Sequence, residues 1–248
     1  MDHDIAFMIE RWLMQCQRAS TKTQLTQILQ SIVKQLDMDY YLMCVVSPQQ
    51  LKSSDMFVID NYPSDWMSHY VGNDLKKNDP VVLHAQTSVT PIFWQNANII
   101  STTNPHADIK IMQQAADAGL VDGITAPIRG MFGEFGLISI ASKELIDLDK
   151  YINLNQILLS ITPYLYEASN RLKINNSPAN KIELTSRESE CMEWVIEGKT
   201  AWETAQILGI SERTTNFHVN NVIEKTSSSN RQQAIAKLLI SGLLKPVI

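Results

Sequence analysis

Leu184-Thr185-Ser186-Arg187-Glu188, Thr200-Ala201-Trp202-Glu203, Leu208-Gly209-Ile210-Ser211 and Ser229-Asn230-Arg231-Gln232 punctuate the C-terminal stretch of the chain. In three of them a hydroxyl residue stands three places ahead of a Glu or Gln. The hydroxyl can accept from the backbone N–H of that third residue, while the longer side chain reaches back to the N–H of the cap. Each such pair predicts a helix start. Gly209 is at ease in the left-handed backbone that ends a helix, and Ser211 can cap the next one. Four short amphipathic helices are therefore expected between Leu184 and Leu244, the second and third joined by a tight glycine-containing turn. That is the layout of a helix-turn-helix.

The third of these segments, Glu212 to Thr226, separates into two faces. Thr215, Val219, Val222 and Ile223 point inward by period, with Thr215 placing a hydroxyl where an apolar group is expected. Arg213, Asn216, Phe217, Asn220 and Glu224 share the outer face. An Asn there can bond adenine N6 and N7 in a major groove, and a Phe can touch a thymine methyl. Arg213, Lys199 and Lys225 suit phosphates, which position a protein without reading sequence, and Thr200 and Trp202 can join them. His218 reads as a structural hydrogen-bonding residue. Spacing alone leaves two readings open, a DNA reader or a small helical interaction domain with a solvated polar face. Charge does not favour the first, because from Lys181 onward eight basic residues face eight acidic ones. Tight DNA binding would then need dimerisation and well-placed cations rather than a diffuse positive field.

At 248 residues, with 44% hydrophobic residues and a net charge of −5, the chain is expected to form two domains with real cores. Cys16, Cys44 and Cys191 are odd in number and far apart, so neither a metal site nor a disulfide framework is indicated. The acidic start, Met1-Asp2-His3-Asp4, is no signal peptide, and no apolar run approaches the ~20 residues of a spanning helix. A cytoplasmic protein that does not enter membranes is expected.

Upstream, Ala6 to Leu36 is helical by pattern. Tyr40 to Ser47 and Met56 to Asp60 read as strands, Trp66 to Gly72 as a helix, and Asp79-Pro80 as a break. Ile109 to Ala118 is a helix with Asp108 as its cap, ending at Gly119. Gly123 to Ile128 and Glu134 to Ala141 form strands around a turn at Gly130–Gly133. Ile146 to Leu172 is a long helix that tolerates Pro163. The expected fold is α+β. Residues 1–172 form an α/β/α sandwich with a central antiparallel sheet, 173–181 a polar linker, and 182–248 an all-α four-helix helix-turn-helix domain.

The C-terminal motifs, together with Glu197-Gly198-Lys199-Thr200, Ser211-Glu212-Arg213-Thr214, Phe217-His218 and Ser229-Asn230-Arg231-Gln232-Gln233-Ala234, resemble the LuxR-type DNA-binding domain without a gap. The sequence departs from it at Thr215, usually Val in the family, and at Asn216, often Lys. The resemblance implies a last helix, Asn230 to Leu244, that pairs with its twin through Ala234, Ile235, Leu238 and Leu239. A phosphoacceptor receiver upstream is not indicated, since the first strand is followed by Ser47-Pro48-Gln49-Gln50 rather than an acidic cluster. Instead Tyr62-Pro63-Ser64-Asp65-Trp66, Tyr70, Asp79-Pro80, Pro91-Ile92-Phe93-Trp94 and Gly123-Ile124-Thr125-Ala126-Pro127-Ile128 resemble, in order and spacing, the acyl-homoserine-lactone receptors of the LuxR type. The resemblance covers most of the chain and implies a quorum-sensing transcriptional regulator.

The residue chemistry suits that ligand. The Trp66 indole is a donor only and fits the ring carbonyl. Ionised Asp79 is an acceptor only and fits the amide N–H. Tyr62 and Ser139 can donate to the amide carbonyl. By the resemblance each takes that role, Tyr70 and Trp94 wall the lactone ring, and Val58 and Val82 line the tail. Strand alternation puts Phe135 and Leu137 on the face of Ser139, and Leu42, Cys44 and Val46 on one face of the first strand. Cys44 reads as a small hydrophobe. The resemblance further implies a homodimer on palindromic double-stranded promoter DNA, activating transcription with RNA polymerase, with no cofactor. Two other readings stand beside it. One is a receptor of this fold for another small molecule. The other is a lactone-processing enzyme built on Asp79, His69 and His84, for which no nucleophile–base pair or metal motif is visible.

Overall fold

The computed structural model describes residues 3–50, 53–176, 183–241 and 243–244. It divides into two compact units, the first composed of Met1–Ser47, Met56–Gly130 and Glu134–Asn176, with the C-terminal helices in the second.

The first unit opens with α1 (His3–Arg18) and α2 (Lys22–Gln35). The pattern predicts one continuous helical stretch here, but Thr21 divides it. Its backbone is extended and its hydroxyl accepts from the Gln24 N–H at 3.2 Å, capping α2. Five strands follow in the chain: β1 (Tyr40–Gln50), β2 (Ser53–Asp60), β3 (Ile92–Phe93), β4 (Asp122–Arg129) and β5 (Phe135–Ser142). They lie in the order β2-β1-β5-β4-β3, and the β1/β5, β5/β4 and β4/β3 pairs are antiparallel.

Between β2 and β3 lie α3 (Ser64–Gly72), a 3-10 turn (Leu75–Lys77) and α4 (Pro80–Thr87); between β3 and β4 lie α5 (Ala97–Thr103) and α6 (Lys110–Asp117). Asp79-Pro80, expected to interrupt the chain, starts α4 instead. The Asp79 carboxylate caps the helix and Pro80 stands in its first turn, where a missing N–H costs nothing. Asp108 is not the cap of α6; that position is Ile109, and Asp108 accepts the Lys110 N–H at 3.0 Å in a turn just before it.

The last element of this unit, α7 (Leu148–Asn176), passes the expected end at Leu172. A buried-side anchor explains the extension. Lys173 pairs with Glu134 at 3.2 Å and donates to Ser47 at 2.8 Å, and Glu134 also accepts from Tyr166, Ser47 and Asn170. Burial opposes ionisation of Glu134, but the hydroxyl donors and Lys173 outweigh it and hold the carboxyl below its ordinary range. The expected linker therefore begins inside a helix, and the rest of it, except for residues 173–176, lies outside the described residues.

Each sheet face has its own layer of helices. Tyr41, Met43 and Val45 of β1, Ile124, Ala126 and Ile128 of β4, and Ile138 and Ile140 of β5 pack with Trp12, Leu29, Ile157 and Ile161 from α1, α2 and α7. On the other face Ala141 and Ile92 join Trp66, Val81, Trp94, Ile111 and Ala115, brought by α3, α4, α6 and the turn after β3. This is the expected sandwich.

The second unit contains α8 (Ser186–Ile196), α9 (Ala201–Leu208), α10 (Glu212–Lys225) and α11 (Arg231–Ile240). Both capping boxes form, Thr185 with Glu188 and Thr200 with Glu203. Gly209 ends α9 at φ 65°, and Ser211 caps α10 through the Thr214 N–H at 3.0 Å. The fourth start sits one residue later than expected. Asn230 rather than Ser229 is the cap, accepting from the Gln233 N–H at 2.9 Å, while Gln233 takes the Ser229 N–H. Among the described residues no helix is long and apolar enough to cross a membrane.

Candidate functional site

The site grows from α3. Trp66 and Tyr70 are one turn apart, so their rings meet on the same face of the helix, with centroids 5.6 Å apart. Tyr70 then reaches the start of α4, where its hydroxyl donates to Asp79 Oδ2 at 2.8 Å; Oδ1 accepts the Val81 N–H, also at 2.8 Å. Asp79 is thus oriented from both ends, and each oxygen keeps a lone pair for another donor. Burial raises its pKa, against the opposing bonds from Tyr70, Val81 and Val82, and burial together with the Asp79 charge drives the Tyr70 hydroxyl upward. The Trp66 indole, by contrast, has no hydrogen-bond partner in the protein among the described residues. Trp66 is 7% exposed and also borders a groove with Asp65, His69, Gln114, Asp117 and Ala118.

A second polar group comes from the sheet. Leu42, Ser139 and Thr125 are register partners across β1, β5 and β4, so they share a face. Ser139 and Thr125 hydroxyls are 2.8 Å apart, and the Trp94 indole N–H donates to Thr125 at 2.9 Å. Burial pushes the Tyr62 hydroxyl up, with Ser139 opposing that shift. Trp94 can lie so close to β4 because residue 123 is glycine: a Cβ there would stand 3.0 Å from the indole and 2.7 Å from the Ile140 carbonyl oxygen. Thr125 and Gly123 were not singled out as site residues from sequence. They lie in the motif that carries the family resemblance, as a hydroxyl and a glycine in a strand that otherwise reads apolar, and their individual roles depend on the strand register.

Beyond Ser139 the same face turns apolar. Cys44 opposes Leu137, and Val46 opposes Phe135. These residues, with Leu42, Val58 on β2 and Val82 on α4, are only half-buried. Burial raises the Cys44 thiol to about 11, with weaker opposing fields from Lys76 and Lys173, so it is a protonated, unreactive group. All the residues expected around a ligand therefore belong to this unit, and the polar ones include two hydrogen-bonded sets, Tyr70 with Asp79 and Trp94 with Thr125 and Ser139. His69 and His84 do not join it. His69 bonds Gln114 and His84 the Thr90 carbonyl, and neither meets Asp79. Among the described residues no group of three His, Cys, Asp or Glu could hold a metal.

In the second unit α10 presents Arg213, Asn216 and Asn220 exposed, with Phe217 60% exposed; Trp202 on α9 is 59% exposed. Thr215 is buried as its period predicts, and its hydroxyl finds the Ser211 carbonyl at 3.4 Å. Three sets of these side chains are engaged within the unit itself. Lys225, expected to hold phosphate, donates to Glu188 at 2.7 Å and to the Glu183 carbonyl at 3.0 Å. Burial opposes ionisation of Glu188, but Lys225 and the Thr185 N–H outweigh it and lower its pKa. The Thr200 hydroxyl is engaged with Glu203, while Lys199 remains at the end of the preceding turn. Ala234 and Leu238, expected to meet a twin helix, are fully buried in this unit's own core, leaving Leu239 exposed and Ile235 partly so.

Two family models match the chain, an autoinducer binding domain over residues 21–169 and the luxR family of bacterial regulatory proteins over residues 183–238. The transcriptional activator protein LuxR of Aliivibrio fischeri is 32% identical over 233 residues, covering 90% of this chain and 89% of that protein. The transcriptional activator AhyR of Aeromonas hydrophila is 35% identical, covering 84% of this chain and 81% of its own. Among solved structures, SdiA in complex with octanoyl-rac-glycerol superposes with a TM-score of 0.80 at 26% identity over all of both chains, and a crystal structure of Escherichia coli SdiA with 0.78 at 27%, over 98% of this chain and 100% of that one. With an autoinducer-binding module and a helix-turn-helix in one chain, this protein belongs to the LuxR family of quorum-sensing transcriptional regulators and is a regulator rather than an enzyme.

Proposed function

We propose that the first unit binds an N-acyl homoserine lactone on the sheet face that carries Ser139. The observation that supports this most is the pairing of an acceptor, Asp79, with a hydroxyl group of opposite sense, Tyr62 and Ser139, beside two tryptophans and a half-buried apolar face. Trp66 donates to the ring carbonyl, Asp79 accepts the amide N–H, and Tyr62 and Ser139 serve the amide carbonyl. Tyr70 and Trp94 wall the ring. The tail runs along β1 and β5 past Leu42, Leu137 and Phe135, with Val58 and Val82 closing over it. A site of this kind rejects analogues lacking a matching group, because its own buried polar atoms stay unpaired.

Ligand stabilises the unit by mass action, by ~4 kcal/mol at a thousandfold excess over Kd. The liganded chain then forms a homodimer on palindromic promoter DNA, since two-fold protein symmetry is mirrored in the operator, and activates transcription with RNA polymerase in the cytoplasm. Residues 182–248 carry the DNA contacts. Arg213, Asn216, Phe217 and Asn220 face the groove, and Lys199, Thr200 and Trp202 meet the backbone. Lys225 supports α10 from within.

A second reading has a specific observation behind it: SdiA has been solved with octanoyl-rac-glycerol. A glycerol ester also offers an acyl carbonyl and a nearby donor, here a hydroxyl. Thermal melting of the full chain against lactones from C4 to C14, with 3-oxo and 3-hydroxy forms, and against octanoylglycerol separates the two. A rise confined to lactones of one chain length supports the first reading. A rise with the glycerol ester alone supports the second, and no rise with either overturns both.

A further inference from the structure

The direction of the hydrogen bonds in the sheet-side group is set by one residue. The Trp94 indole can only donate, and it donates to Thr125 Oγ1 at 2.9 Å. Thr125 is fully buried, and Ser139 Oγ, 2.8 Å away, is its other hydrogen-bond partner. If Thr125 accepted from Ser139 as well as from Trp94, its own proton would be buried and unpaired, which is costly. Thr125 therefore donates to Ser139. With Thr125 as its donor, Ser139 keeps its own proton free to offer. Across the site the sense is opposite, because Asp79 takes protons from Tyr70 and from the Val81 N–H and has none to give.

We propose that Thr125 is a positioning residue which, anchored by Trp94, polarises the chain Trp94–Thr125–Ser139 so that it always offers a proton to bound ligand. This rests on the ligand site proposed above and adds the reason why that site selects an acyl carbonyl. Without the indole anchor, the two hydroxyls could reverse direction and accept from a ligand donor equally well. Trp94 thereby has a role beyond walling the ring, and Thr125 shapes specificity from behind Ser139.

The test uses the full chain and two probes, N-octanoyl homoserine lactone and its N-octyl analogue, in which a methylene replaces the amide carbonyl. Calorimetric Kd values are compared for the wild type, Thr125→Val, Thr125→Ser and Trp94→Phe. The wild type is expected to favour the carbonyl probe by on the order of 10- to 100-fold. Thr125→Val should lose about tenfold of that preference, Thr125→Ser should restore it, and a purely structural Thr125 would weaken both probes alike. Trp94→Phe should reproduce the loss, and combining it with Thr125→Val should add little. If Thr125→Val does not fold, by circular dichroism, Trp94→Phe carries the same comparison. Full carbonyl preference in Thr125→Val, or in Trp94→Phe where Thr125→Val does not fold, overturns the polarised chain while leaving the ligand site standing. A wild type that binds neither probe overturns the ligand reading and the chain's role with it.

Discussion

The two faces of the sheet differ in what completes them. On the face toward α1, α2 and α7, Met43, Val45, Ile124, Ile138 and Ile140 are 0–1% exposed and purely aliphatic or thioether in character. That face is closed by the chain's own helices. On the face toward α3, α4 and α6 the alternating residues include Thr125 and Ser139, and the run from Leu42 to Val46 and from Leu137 to Phe135 is only half-buried. Protein interiors are close-packed, so the buried face carries the packing while the half-buried face leaves side-chain surface uncovered. The lesson is that alternation gives adjacent residues of one strand different surroundings, and the ligand reading proposed here assigns one face to the fold and the other to recognition.

The largest predicted effect comes from testing that alternation directly. Ile138→Ala, on the filled face, should cost the ligand-free chain about 3–4 kcal/mol in denaturant unfolding. Its neighbour Leu137→Ala should cost under about 1 kcal/mol, because its side chain already meets solvent, yet it should weaken stabilisation by a long-chain lactone. Equal losses at the two positions would erase the distinction between the faces.

The second unit supplies an intermediate effect. Glu188 is 3% exposed, caps α8 and ties it to α10 through Lys225. Glu188→Ala removes the cap bond and leaves Lys225 without its carboxylate, with only the Glu183 carbonyl to bond, so a loss of about 2 kcal/mol is expected in melting of this unit. Thr204 offers a smaller change in the other direction: it is fully buried and its hydroxyl lacks a hydrogen-bond partner. Thr204→Val should stabilise by about 1 kcal/mol.

The smallest effect is one of sign. Glu188 has a lowered pKa, so its contribution to stability is present above its ordinary 4.5 and fades as pH falls through the lowered folded value. Asp79 has a raised pKa, chiefly from burial. Its contribution is present below its ordinary 3.8 and fades as pH rises through the raised folded value. Asp79→Asn keeps a capping side chain and removes that dependence. The ligand-free variant should melt slightly higher at neutral pH while losing its response to lactone; a lower melting temperature would show that the Asp79 charge supports the fold.

Legibility from sequence was uneven, for physical reasons. The helix-turn-helix could be read because its signals are local: Thr185 and Glu188, Thr200 and Glu203, and Gly209 with Ser211 each act within one turn. Even the error at Ser229 was of one residue, where a neighbouring Asn competes as a cap. Asp79-Pro80 misled because a proline after an acceptor marks either a break or a first turn, and only the packing of Val81 and Ala85 decides between them. Lys225 and Leu238 have partners that periodicity did not name. Lys225 meets Glu188 of α8, and Leu238 shares a core with residues of α8 and α10, because periodicity does not say which neighbour arrives.

Sequence by itself determined the two-part organisation, the helix starts, the exposed face of α10 and the residue types at the candidate ligand site, because these depend on propensity, capping and alternation. Tertiary structure alone decided that Thr125 stands behind Ser139, that Gly123 makes room for Trp94, that Lys225 is spent on Glu188 and that α7 runs on to meet Glu134. Each of these depends on which residues antiparallel register and helix packing bring within ~3 Å across long stretches of chain, a distance at which hydrogen bonds form and about which local pattern carries no information.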